Sequence, residues 1–132
     1  HSNAHNFLGY MYATQGKSLD EALDHLQKAL SIQPKNGYFY DSLGWIYYKR
    51  GEPERALEEL KKAMVYTPPD PVLYSHMGDV YFSLKNYSKA NQAWRNALSL
   101  TLEKMEDAKG EIPDPRDLEK KIHKAQGFLN RN

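Results

Sequence analysis

The most constraining feature of this chain is a period of 34 residues. Gly44 recurs at Gly78, Ala56 at Ala22 and Ala90, Ala63 at Ala29 and Ala97, and Pro68 at Pro34, all at that spacing. Gly9 falls one residue out of step, and the extra residue lies in "GKSLDEA", a loop where the second unit has "GEPERA". Loops absorb such insertions cheaply. Aligned on the glycine, "LGYMY", "LGWIY" and "MGDVY" coincide, as do "EALDHLQKAL", "RALEELKKAM" and "KANQAWRNAL". A fixed period of this length means stacked copies of one supersecondary unit, none able to bury its apolar face alone.

Within a unit the apolar spacing is helical. Tyr40, Leu43, Gly44 and Tyr47 follow i, i+3, i+4, i+7, and Ala56, Leu60, Ala63 and Met64 make the facing stripe of a second helix. Ser18 with Glu21 forms a capping box, Asp70-Pro71 places a cap before a proline at the first helical position, and Pro34 and Pro68 follow helix ends. Gly44 inside a helix costs about 1 kcal/mol relative to Ala. Its lack of a side chain lets the helix pair approach closely opposite Ala56, with Tyr47 and Leu60 filling the flanks. Leu at either small position would overpack the pair by about 1–3 kcal/mol or more.

These residues resemble the tetratricopeptide repeat family, whose unit carries an aromatic, Leu-Gly, Tyr, then Ala, a large apolar residue, Ala and Pro. The resemblance implies an all-α, right-handed α-solenoid of three helix-turn-helix units plus a C-terminal capping helix. As one domain over 1–132, the expected divisions are repeat one 1–35, repeat two 36–69, repeat three 70–108, a linker 109–113 and the capping helix 114–130. The departures are His5 for the leading aromatic of unit one, Lys85 for the loop glycine of unit three, and Leu102 for its closing proline. The last predicts a helix continuing towards Met105. The capping helix opens with Asp114, Pro115 and acidic Asp117 and Glu119, and its stripe is Leu118, Ile122, Ala125 and Leu129. Its Lys and Arg residues are expected to face water. No cap precedes the first unit, which implies a fragment of a longer array or an end able to self-associate through Phe7 and Met11.

Composition narrows the function classes. Eighteen Lys and Arg against seventeen Asp and Glu, with 40% apolar and 27% charged residues and no cysteine, describe an ordinary globular chain. Near-neutrality gives no electrostatic reason to bind nucleic acid or an anionic membrane. Thiolate chemistry and Cys-ligated zinc are excluded, and no apolar run reaches the roughly 18 residues of a membrane span. "HSNAHNFLGY" lacks the basic start and apolar stretch of a signal peptide. His1, His5, His25, His76 and His123 form no metal-ligand spacing, the glycines are isolated, and no nucleophile motif occurs. No enzyme, cofactor or metal is expected.

The resemblance implies that first helices line a concave surface. Asp41, Trp45 and Tyr48 share a face distinct from the core stripe; the corresponding positions are Asn6, Tyr10 and Ala13 in unit one and Ser75, Asp79 and Phe82 in unit three, while Tyr38 and Lys49 extend the middle stripe. The expected peptide-binding set is therefore Asn6, Tyr10, Tyr38, Asp41, Trp45, Tyr48, Lys49, Asp79 and Phe82, with Tyr40, Tyr47, Tyr74 and Tyr81 assigned to the core. Aromatic anchors are the residues that most often hold a protein partner. The family's carboxylate clamp maps onto Asn6, Tyr10, Ser42, Val72 and His76, without the Lys and Arg donors such a clamp needs. An apolar peptide or amphipathic helix with one or two basic residues suits Asp41 and Asp79 better. The alternatives are a self-assembling scaffold and the substrate-recruiting part of a larger protein. "SLDEALDHLQKAL" with "YDSLGWIYYKRG" is also similar to terminal repeats of bacterial proteins, some of them envelope lipoprotein adaptors.

Overall fold

The computed structural model describes residues 19–105 and 112–131, and every described element is helical. The helices are α1 (Leu19–Ile32), α2 (Gly37–Lys49), α3 (Pro53–Tyr66), α4 (Pro71–Ser83), α5 (Tyr87–Lys104) and α6 (Pro115–Leu129). The chain divides into two compact units, His1–Pro68 and Pro69–Asn132. The division falls one residue before the boundary expected between the second and third repeats.

In the first unit, α2 and α3 form an antiparallel hairpin and α1 packs on α2. Asn36 caps α2, its side chain accepting from the Tyr38 and Phe39 amides at 3.0 and 3.3 Å. Those amides have no partner within the helix, so the cap satisfies them. Gly44 lies against α3 as the spacing predicts: a Cβ there would meet Leu60 Cδ2 at 2.8 Å and the Ala56 carbonyl oxygen at 3.1 Å. Leu26, Phe39, Ile46, Ala56, Leu60 and Ala63 are fully buried around this contact. Among the core tyrosines, Tyr47 is buried, whereas Tyr40 is half-buried. Tyr40 donates its hydroxyl to the Pro34 carbonyl at 2.9 Å and stacks on Tyr66 at 5.8 Å.

The second unit pairs α4 with α5, and α6 packs along α5. Asp70 caps α4 by accepting from Val72 and Leu73, and Pro71 occupies the first turn. At Gly78 the opposing side chain is Trp94, which a Cβ would meet at 2.3 Å. Helix α5 runs to Lys104 with Met105 at its end, as the missing proline predicts. Leu118 and Ala125 of α6 are buried with Ala90, Trp94 and Ala97, while Ile122 packs half-buried against them. Tyr74 and Tyr81 are likewise half-buried rather than enclosed.

The two hairpins close with the same hydrogen bonds. Gly51 donates to the Tyr48 carbonyl and Glu52 to that of Tyr47; 34 residues on, Lys85 donates to Phe82 and Asn86 to Tyr81. This pair of bonds defines a Schellman turn, which needs a left-handed residue after the helix. Gly51 takes φ 79° and Lys85 takes φ 63°.

Candidate functional site

The expected binding residues fall into three groups. Asn6 and Tyr10, with His1, His5, Phe7, Met11 and the capping-box Ser18, lie outside the described residues. Tyr38, Asp41, Trp45, Tyr48 and Lys49 lie on α2 in the first unit. Asp79 and Phe82 lie on α4 in the second.

On α2 the helical spacing gathers Trp45, Tyr48 and Lys49 into one cluster. The Trp45 and Tyr48 rings stack at 5.0 Å with 27° between planes, and the Lys49 ammonium sits 5.0 Å from the Trp45 ring centroid. Burial grades them. Trp45 is only 9% exposed, Tyr48 and Asp41 are half-buried, Lys49 is exposed and Tyr38 is 50% exposed. Trp45 thus acts as the base of the cluster, and the surface a partner would meet is formed by its neighbours. Repeat periodicity placed it on the second stripe but carried no information about depth.

In the second unit α6 covers the expected residues. Asp79 accepts from the Trp94 indole at 3.2 Å and from Lys121 at 2.9 Å. Lys121 also lies 3.5 Å from Asp117. Burial lowers the affinity of the Lys121 ammonium for its proton, but the charge and hydrogen bond of Asp79, joined by Asp117, outweigh it and hold the group above its ordinary value. Phe82 is enclosed by other aromatics: Trp94 at 5.6 Å, Tyr87 at 5.1 Å and Phe128 of α6 at 5.6 Å. Phe128 stacks on Tyr87 at 4.4 Å, and Lys124 lies 5.1 Å over Phe82. Of the α6 lysines expected to face water, Lys121 is instead drawn in to Asp79, while Lys124 stays exposed with its ammonium over Phe82.

Sequence reasoning missed Trp94, Lys121 and Phe128 as the partners of Asp79 and Phe82. The signal for Trp94 was its place in register with Leu60; Lys121 stood in a run of charged residues with nothing to mark it. It also missed a groove of about 570 Å³ between α5 and α6, lined by Arg95, Leu98, Leu102, Glu119, Ile122 and His123 among others. Among the described residues no group of three His, Asp or Glu is placed to hold a metal ion. None of the described helices is long and apolar enough to cross a membrane.

Paired helical hairpins with a glycine opposite a large apolar residue define an all-α repeat protein, and the comparisons agree. Two tetratricopeptide repeat models match residues 2–36 and 25–58, and a TPR repeat model matches residues 44–84. The chain belongs to the tetratricopeptide repeat family. Its fold is of the all-α TPR solenoid class. It is similar to pilF of Pseudomonas aeruginosa, at 22% identity and TM-score 0.81 over 98% of this chain and 54% of that one. The TPR2B domain of yeast Sti1, solved in complex with pHsp70, matches at 16% identity and TM-score 0.79, over 96% of this chain and 97% of that one. The first TPR of Spaghetti (RPAP3), bound to the HSP90 peptide SRMEEVD, matches at 19% identity and TM-score 0.78, over 98% and 95% of the two chains. No curated protein sequence matches the chain significantly.

Proposed function

We propose that the chain is a non-catalytic interaction module that holds a peptide or helical segment of a partner protein against the α2 face. Membership of the family and the peptide complexes of two structural neighbours support the class. The observation that carries the site is the graded cluster on α2, with Tyr48 and Lys49 packed on the buried Trp45 and Tyr38 exposed on the same helix. Tyr48 and Tyr38 offer apolar contact area at low entropic cost, and Asp41 supplies the acidic group that orients a basic side chain. Asp79 and Phe82 are left out of this site because α6 holds them.

The partner differs in chemistry from a peptide ending in an acidic carboxylate motif. Two clamp positions, Ser42 and His76, are buried at 4% and 6% exposure, and neither brings a fixed positive charge to the surface. A peptide-library screen on the 132-residue chain, repeated with Tyr48→Ala, tests the assignment. The selected peptides should be apolar with one or two basic residues, and Tyr48→Ala should weaken them by about 2 kcal/mol while leaving the helical signal intact. Unchanged affinity in the folded variant, or selection of SRMEEVD-like peptides, would reject the α2 site. Trp45→Ala is the poorer probe, because a side chain so deeply buried contributes to packing as well.

A further inference from the structure

Asn36 and Gly37 form the only Asn-Gly pair in the sequence. An asparagine followed by glycine can close on itself: the glycine nitrogen attacks the side-chain Cγ, and no Cβ on the second residue obstructs the approach. In the fold this pair opens α2, with Asn36 as the cap and Gly37 as the first helical residue. The helix that carries the candidate site therefore begins at the most readily cyclised dipeptide of the chain.

Several features hold the pair away from that reaction. Asn36 Oδ1 accepts from the Tyr38 amide at 3.0 Å and from the Phe39 amide at 3.3 Å. Its Nδ2, the leaving group of the cyclisation, donates to Gln33 Oε1 at 2.7 Å. Both ends of the side-chain amide are thus fixed. Ring closure also requires the Gly37 nitrogen to eclipse Cβ of Asn36, which for an L residue falls at negative ψ. Asn36 has ψ 104°. Rotating it would break the start of the helix, because the Asn36 carbonyl accepts from Phe39 at 3.2 Å and from Tyr40 at 3.4 Å. Gly37 is buried against the end of α3, where even an added Cβ would fall on Thr67 Oγ1. Reacting atoms must reach a near-attack position, and each of these observations opposes it.

We propose that Asn36 is a site of spontaneous deamidation kept closed by the first turn of α2. When the turn opens, the Gly37 N–H gives up its proton to water or hydroxide and the bond from nitrogen to Cγ forms. The Cγ–Nδ2 bond breaks as Nδ2 takes a proton and leaves as ammonia. Water then opens the cyclic imide at either carbonyl. Attack at Cγ gives aspartate, a good cap whose charge suits a helix N-terminus. Attack at the main-chain carbonyl gives isoaspartate, in which the chain runs through Cβ and Cγ and is one carbon longer. That product cannot rebuild the turn, because Gly37 has no space into which to shift. A transient opening thus becomes a lasting change at the beginning of α2, whatever partner the helix binds.

Mass mapping of the peptide that spans residues 36–49, after incubation of the 132-residue chain at mildly alkaline pH, tests this. In guanidinium chloride Asn36 should deamidate ahead of every other asparagine, including Asn86, which caps α5 in the same way but precedes Tyr87. In the folded chain at the same pH the reaction should be at least about tenfold slower, by a factor set by how rarely the turn opens. After return to native conditions the isoaspartyl fraction should melt below the unmodified chain, whereas N36D, which keeps the cap, should not. Equal rates in the folded and unfolded chain, another asparagine reacting first in denaturant, or an isoaspartyl fraction as stable as N36D would each overturn the proposal.

Discussion

The helix pairs at Gly44 and Gly78 meet the same packing demand with different side chains. In the first, Leu60 fills the glycine's space and needs nothing further. In the second, Trp94 occupies the equivalent place, and its indole N–H requires an acceptor. Asp79 supplies it, and the carboxylate so drawn inwards is balanced by Lys121. One aliphatic-to-aromatic change thus ties the third repeat to the C-terminal helix. The same α6 packs Phe128 against Phe82 and Tyr87. The aromatic position that Tyr48 fills half-buried on Trp45 in the middle repeat is filled in the last by Phe82, on which Tyr87, Trp94 and Phe128 pack.

The sharpest way to break this comparison is to add one methyl group at each glycine. Gly78→Ala puts a Cβ into the rigid Trp94 ring, whereas Gly44→Ala meets the end of Leu60 and a backbone oxygen. Overpacking costs about 1–3 kcal/mol, against a gain of about 1 kcal/mol from replacing helical Gly. Gly78→Ala should therefore destabilise clearly more than Gly44→Ala in denaturant titrations. Equal midpoints would mean that Trp94 can swing aside freely.

The polar link comes next in size. Asp79→Ala leaves the indole and a two-thirds-buried Lys121 without their acceptor, at a cost of about 1–3 kcal/mol. The pH dependence has a definite sign. Because Lys121 is held above its ordinary 10.5 in the fold, its contribution is complete below that pH and is lost as the pH rises through the raised value. As the pH rises above about 10.5 the protein should lose stability more steeply than Lys121→Met does. Parallel curves would show that the ammonium contributes nothing through Asp79.

The smallest effect concerns the two Schellman turns. Lys85 carries the left-handed φ that Gly51 carries in the other hairpin. Lys85→Gly should stabilise the second unit by up to about 1 kcal/mol, because a side chain at positive φ crowds the backbone. A loss of stability would indicate that the contact of Lys85 with its surroundings outweighs that strain.

Much of this was legible in the residues themselves. The 34-residue period, the Gly–Ala facing positions, the caps at Asp70 and Asp114, the proline stops and the extension of α5 to Met105 all rest on local rules of spacing and hydrogen bonding. Asn36 obeys the same capping rule, so the start of α2 is a local feature too. The candidate site was only half legible: periodicity put Trp45 and Tyr48 on a shared face, and Asp79 and Phe82 on the equivalent one, without saying what would lie against them.

Local pattern therefore determined which segments are helices, where they stop and which faces seek a core, since these depend on residues three or four apart. Depth and coverage were decided only in three dimensions. Whether Trp45 lies beneath Tyr48, whether Lys121 reaches a carboxylate 42 residues away, and whether α5 and α6 leave a groove between them depend on which surfaces meet. A helical stripe identifies a face, but its neighbours across space decide what that face touches.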